Sequence, residues 1–268
     1  MAARYRKPYR IQRKKYWWKS RALWVSFAII LAILGFAYGL FFSYFLQLEH
    51  IRIEGNDRIE ADEIEQAADA ASRKDVLFLE FRHMLLFSSR DIEAALVEQF
   101  PQIEEVRVQK RFFHELAVTI KERRQSAVWC AKEECFALDL NGVVFEEKSA
   151  EGNIVFSQEG QETAPALGES VVDKALLARL FQFIKQVQGL SVLRDAQAKV
   201  ISITFISPQR ISAQISERWD VYITPEEDFE WQGTKLDLVL EEKAPSTEER
   251  ESIEYIDLRF GDKAFLKH

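Results

Sequence analysis

The sequence predicts an α+β protein: a single N-terminal transmembrane helix, a strand–helix–helix–strand–strand unit, and a mixed β domain with two helices. Three observations carry this. Residues 22–46 form a run of 25 without Asp, Glu, Lys, Arg or His. The segments after it alternate between apolar periods of two and of about 3.6 residues. Overall, 47% hydrophobic and 29% charged residues suit a globular domain beyond the anchor.

The charge-free run comes first. As a helix it reaches about 37 Å at about 1.5 Å per residue, against a hydrocarbon core of roughly 30 Å. Residues 1–21 hold nine cations and no acid, and short flanks rich in Lys and Arg stay cytoplasmic. The expected topology is single-pass type II in the cell membrane, with the N-terminus cytoplasmic and the remaining domains periplasmic or extracellular. A cleaved signal peptide has a shorter apolar region ending in small residues, whereas this run ends in the bulky FFSYFLQLEH. Tyr16, Trp17 and Trp18 mark the inner boundary and Tyr44 the outer one, where amphipathic rings prefer to lie. The whole chain carries −7, and setting aside the nine tail cations leaves −16. The basic tail therefore reads as an anchor attracted to anionic lipid headgroups. The acidic remainder repels phosphate, so no nucleic-acid partner is expected.

The first folded unit, 47–124, begins almost at the bilayer. Leu48, Ile51 and Ile53 mark a strand and Gly55-Asn56 a turn. Ile64, Ala67, Ala68 and Ala71 then recur at helical spacing. After a loop, Ser88 and Ser89 offer N-caps with Asp91 in the first turn; Ile92, Ala95, Leu96 and Phe100 form one face, and Pro101 stops the helix. Val106 and Val108 alternate, as do Leu116, Val118 and Ile120, with 112–115 as the hairpin connection.

The second unit, 125–268, opens with AVWC and CFALD as strands. Asn141-Gly142 makes a turn before Val143, Val144 and Phe145. Polar residues 146–165 read as a long loop. A helix follows, with Ser170 and Asp173 resembling a cap. Its stripe is Val172, Leu176, Leu180, Phe181, Ile184 and Val187, and Gly189 ends it. Strands are expected at 199–205, 210–216 and 220–223. Thr224 as N-cap and Pro225 at N1 open the next helix, through Phe229, Leu236, Val239 and Leu240. EEKAPSTEERES reads as a charged loop, and SIEYIDLRFGDKAFLKH as one or two strands.

No site for chemistry emerges. The ten glycines are dispersed and build no phosphate loop. Neither G-x-S-x-G, S-x-x-K nor HExxH occurs. Acid pairs such as Glu226-Glu227 read as a solvated face. The expectation is a binding module with no catalytic residues, metal, cofactor or small-molecule substrate. Cys130 and Cys135, in WCAKEECF, can join as a disulfide across a short hairpin in an oxidising exterior. Free thiols are the alternative, and two Cys fall short of the four ligands of structural zinc.

IRIEGNDRIEADEI, VRVQKRFFHELAVTIKERRQSAVW, ALDLNGVVF and IEYIDLRF, in this order behind one anchor, resemble the bacterial cell-division family FtsQ/DivIB. Departures are Phe113 where the family has a proline after the aromatic Phe112, a missing proline in the Glu122–Trp129 stretch, and the Cys pair. The resemblance implies a POTRA domain at 47–124 and a β domain at 125–268. It also implies a non-enzymatic scaffold at the division septum that links septal assembly to cell-wall synthesis. The implied partners are FtsB-like and FtsL-like single-pass proteins, together with the lipid bilayer. A membrane-anchored cell-wall enzyme and a POTRA-type chaperone or secretion component are the alternatives.

In the family, the last strands receive the partner by strand addition. Carried onto this chain, the partner-binding residues are Tyr255, Arg259, Phe260, Lys263, Ala264 and Leu266. Phe260 takes the place of an aromatic contact, and Arg259 and Lys263 suit an acidic partner face. The same alternation also describes an ordinary half-buried strand paired only within the domain.

Overall fold

The computed structural model describes residues 21–41, 48–76, 79–81, 87–111 and 114–268. Helix α1 (Arg21–Phe41) is the described part of the charge-free run. Its large apolar side chains, among them Trp24, Phe27, Ile30 and Leu34, point outward. Among the described residues no helix is long and apolar enough to cross a membrane. The expected span over 22–46 is thus not seen whole, because its last five residues lie outside the described ones. So do Tyr16, Trp17, Trp18 and Tyr44, and the hairpin pair Phe112 and Phe113.

The first unit runs β1 (His50–Glu54), α2 (Ala61–Ser72), β2 (Lys74–Val76), β3 (Leu79–Phe81), α3 (Ser89–Gln99), β4 (Ile103–Arg111) and β5 (Glu115–Glu122). The predicted order holds, with one addition: the loop between the helices contains the small β2–β3 hairpin. The sheet order is β1-β5-β4. β5 pairs antiparallel with β4 and parallel with β1, Ile51 facing Leu116. Ile64 and Ala68 of α2 and Ile92 and Leu96 of α3 pack with Ile103, Leu116, Val118 and Ile120 in one core. Spacings of four residues put each helical pair on one face. The turn after β1 requires glycine: Gly55 has φ +89°, and a Cβ there would lie 2.2 Å from the Ile120 carbonyl oxygen.

The second unit is one nine-stranded sheet. Its elements are β6 (Ala127–Ala131), β7 (Glu134–Leu138), β8 (Val144–Glu147), β9 (Val155–Gln158), α4 (Lys174–Gly189), α5 (Ser191–Asp195), β10 (Val200–Ser207), β11 (Arg210–Ile215), β12 (Asp220–Ile223), α6 (Phe229–Lys243), α7 (Thr247–Glu251), β13 (Tyr255–Phe260) and β14 (Lys263–Lys267). The spatial order is β14-β13-β12-β11-β10-β9-β6-β7-β8. Helices α4 and α6 lie together over one face. Leu177, Leu180, Phe183 and Ile184 from α4 and Leu236 and Leu240 from α6 meet Trp129, Ile203, Ile211, Val221, Ile256 and Leu258 of the sheet.

Four expectations are corrected. Residues 146–165 are not all loop, because they contain β9, hydrogen-bonded in parallel to both β6 and β10. Its core contact is Phe156, buried near the rings of Phe181 and Phe205. The face of α4 is rotated: Leu177 and Phe183 are buried, whereas Leu176 and Phe181 are half-buried. Its cap is Asp173, which accepts from the Leu176 N–H. Helix α6 starts four residues later than expected, capped by Asp228 through the Glu230 N–H. Thr224 is buried instead, exchanging backbone hydrogen bonds with the Gln232 side chain. Finally, the charged stretch after α6 folds into α7 behind a capping box of Ser246 and Glu249. Four helices therefore accompany the sheet rather than two.

Arg250 makes α7 necessary. Its side chain is 1% exposed and the guanidinium forks onto Glu217, with Nε donating at 2.9 Å and Nη2 at 3.0 Å. Nη1 donates to the Pro245 carbonyl. Burial pushes the Glu217 carboxyl up, yet hydrogen bonds from Arg250 and the Trp219 indole hold it below its usual 4.5. A buried bidentate pair of this kind ties the α7 segment to the turn between β11 and β12.

The two units meet where three of the quoted motifs converge. The Glu122 carboxylate accepts from the N–H groups of Asp57 (2.7 Å), Arg58 (2.9 Å) and Ile59 (3.1 Å). Arg58 then reaches Glu146 and the Arg123 carbonyl and lies over the Phe145 ring. Arg123 pairs with Asp139 at 2.6 Å, both largely buried. Asp139 also accepts from the N–H groups of Asn141 and Val143, and Asn141 donates to Glu104 of β4. Glu122 feels burial, which raises its pKa, more weakly than the combined N–H groups of Asp57, Ile59 and Arg58, which lower it.

Two outcomes are expected. Phe156→Ala costs about 3–5 kcal/mol in denaturant unfolding, the usual loss for a buried aromatic. Glu122→Gln costs about 1–3 kcal/mol by weakening three backbone hydrogen bonds. The Glu122 carboxyl is depressed on folding, so its contribution is full above the unfolded value near 4.5. It disappears as pH falls through the lower folded value, and a pH series of melting curves on wild type and Glu122→Gln should converge at the acid end.

Candidate partner-binding edge

The nine-stranded sheet ends at β14, so one side of this strand carries backbone N–H and C=O groups with no neighbouring strand among the described residues. β14 pairs antiparallel with β13, Tyr255 facing Lys267, Ile256 facing Leu266 and Asp257 facing Phe265. A register shift between Asp257 and Phe260 lets the hairpin turn at Gly261.

The hairpin is held from beneath. Lys235 of α6 is 4% exposed, and its ammonium donates to the Leu258 and Gly261 carbonyls, each at 2.5 Å. A third donor reaches the Glu227 carboxylate at 3.2 Å. The other oxygen of Glu227 accepts from the Gly261 N–H at 2.9 Å. An ammonium has three protons and no acceptor; all three are used, and a buried charge is thereby satisfied. The β13–β14 turn is fixed to the helix layer by a charged pair rather than by apolar contact.

The sequence-predicted residues divide by face. Alternation along β14 sends Ala264 and Leu266 inward, packed against the core, while Lys263, Phe265 and Lys267 face outward. Ala264 and Leu266 therefore offer the edge backbone and inner side chains, not outward contacts. Phe260 is exposed (52%) and forms an edge-to-face pair, at 5.2 Å, with Phe265, also 52% exposed. Phe265 was missed from the sequence; the two-residue spacing from Lys263 and Lys267 was the available signal. Arg259 is half-buried, forks onto Asp257 at 2.9 and 2.6 Å and lies over Phe260. Donating to the Asp257 carboxylate raises its already high pKa. Its charge is thus largely spent within the strand. Tyr255 is half-buried, 5.0 Å from Tyr222 and beneath Lys267.

Elsewhere, Cys130 and Cys135 face each other across β6 and β7 and are joined as a disulfide. Among the described residues no group of three or more His, Cys, Asp and Glu is placed to hold a metal ion.

Residues 46–123 match the family model for the POTRA domain, FtsQ-type. The chain carries an FtsQ-type POTRA domain. The match covers β1 through β5 and supports the FtsQ/DivIB resemblance drawn from the motifs. An FtsQ-type POTRA domain suggests a role in cell division. A comparison with curated proteins gives no match. In this chain the POTRA domain is joined through Arg123 and Asp139 to the sheet that ends in the β14 edge.

Lys235→Met should loosen the hairpin locally. It leaves the Leu258 and Gly261 carbonyls without their donor, at a cost of about 1–3 kcal/mol. Hydrogen exchange is expected to accelerate across 255–267 while the amides of β4 and β5 keep their protection.

Proposed function

We propose that this protein is a non-enzymatic scaffold of bacterial cell division that binds other single-pass division proteins along β14. The observation that carries it is the sheet edge itself: a strand whose outer side has no neighbouring strand among the described residues, flanked by the exposed Phe260–Phe265 pair. Strand addition uses unpaired backbone groups for affinity and alternate side chains for selectivity. The FtsQ-type POTRA match supports the cell-division setting. FtsB-like and FtsL-like proteins are the partners this reading names.

In the same reading residues 22–46, of which α1 is the described part, anchor the chain in the cell membrane. The nine cations of the tail hold the N-terminus in the cytoplasm, and both folded units lie outside. The protein gathers at the septum and couples division assembly to wall synthesis.

Phe260→Glu tests the edge. The side chain is exposed, so melting of the variant should stay within about 0.5 kcal/mol of wild type. Capture of the FtsB-like partner by the full-length chain should fall at least tenfold. Undiminished capture by a folded variant would place the partner elsewhere. For the setting, a fluorescent fusion should band at midcell; diffuse membrane signal in dividing cells would count against it.

A further inference from the structure

The outer row of β14 has a charge pattern that a bare strand edge does not need. Lys263, Phe265 and Lys267 alternate outward along the strand, all exposed. Lys263 makes no ion pair among the described residues. Lys267 meets Glu254 at 2.7 Å, both about half exposed, an exposed pair that leaves the ammonium free to meet a second carboxylate. The cationic character continues inward: Arg210 of β11 stacks on Tyr222, Tyr222 lies against Tyr255, and Lys267 covers Tyr255. Both ends of this four-strand row are positive.

An unpaired edge is a template for any extended chain, and a second copy of the same protein is always at hand. The antiparallel register that pairs all five residues of β14 with β14 of another copy is centred on Phe265. It sets Lys263 of each copy against Lys267 of the other, on the same face of the joined sheet. Two directly opposed like-charge pairs are unfavourable at cross-strand distance. The same row is complementary to a strand that carries carboxylates at these two positions and an apolar residue between them, against Phe265 and Phe260.

We infer that Lys263 and Lys267 act as a selectivity code: they block pairing of β14 with itself and select an extended partner segment of the pattern acid-x-apolar-x-acid. This rests on the reading of β14 as the partner edge, and adds which segment that edge accepts. Exclusion of the wrong strand and recruitment of the right one come from the same two ammonium groups. Arg259, already neutralised by Asp257, contributes little to the code.

The test uses the full-length chain in detergent and sedimentation velocity. Lys263→Glu makes the edge self-complementary, with two opposite-charge pairs in the centred register. The double variant Lys263→Glu/Lys267→Glu makes it self-repelling again. The single variant should self-associate at a concentration on the order of tenfold lower than wild type or the double variant, and added salt should erase the difference. Equal behaviour of all three proteins overturns the inference. A second measurement follows binding of two labelled extended peptides by fluorescence anisotropy, one with Glu-Thr-Val-Thr-Glu and one with Lys-Thr-Val-Thr-Lys in identical flanks. Preference for the acidic peptide by wild type, reversed in the double variant, supports the code. Equal binding of both overturns the code but keeps the edge. Binding of neither overturns the edge and the code together.

Discussion

β9 is a strand of four residues, Val155–Gln158, hydrogen-bonded in parallel to β6 on one side and to β10 on the other. Without it the other eight strands fall into two separate sheets, β14 to β10 and β6 to β8. The first holds the candidate edge. The second continues directly from β5 and is fastened to the POTRA domain by Arg123 and Asp139. A parallel strand inserted between two others is covered on both sides by backbone partners, so its four residues order a much larger set. Phe156 adds the side-chain half of the same bond, buried among Trp129, Phe181 and Phe205. The position of the edge relative to the POTRA domain thus depends on this short segment.

The polar interior follows a consistent pattern. Lys235, Arg250 and Glu122 each sit where a turn or short helix meets a larger element, and each satisfies several backbone groups at once. Lys235 holds the β13–β14 turn, Arg250 the segment around α7, and Glu122 the turn after β1. Turns leave backbone groups without ladder partners, and burial makes such groups costly. One charged side chain with several donors or acceptors serves them better than several neutral ones, provided its own charge is met. Glu227, Glu217 and Arg58 meet it in the three cases.

Much of this architecture was legible because periodicity reports burial. Ile64 and Ala68, Ile92 and Leu96, and the alternating valines and isoleucines of β4 and β5 each declared their element. β9 was not legible. It has a single fully buried side chain, Phe156, set in a polar stretch, and a strand recruited between two partners needs no pattern of its own. α7 was hidden for a related reason: its buried residue is a charged one, Arg250, and apolar counting passes over it. The onset of α6 was misplaced because Thr224-Pro225 imitates a cap, whereas Gln232 draws Thr224 into the interior. At the candidate edge, sequence pointed to Phe260, Arg259 and Lys263. It did not separate the inward Ala264 and Leu266 from the outward row, because Ala264, Phe265 and Leu266 are three apolar residues in succession and mask the regular alternation of β14. Phe265 therefore escaped notice, as did the Lys235 clamp, whose partners come from two segments, Glu227 ahead of α6 and the distant Leu258 and Gly261 at the end of β13.

The parallel pairings also have a consequence in time. β6 is made early, but its neighbour β9 has a second side that stays vacant until β10 has been made, after the whole of α4. In the same way β12 waits for β13 across α6 and α7, and β1 waits for β5 across both helices of the POTRA domain. Few of these sheets can close by local hairpins alone, and pairings between distant segments form slowly. A chain that emerges gradually therefore passes through an interval in which strands such as Val155–Gln158 have one partner and one bare side. Speed of completion, and protection from neighbouring unfinished chains during that interval, become properties that this topology imposes on the cell that makes it.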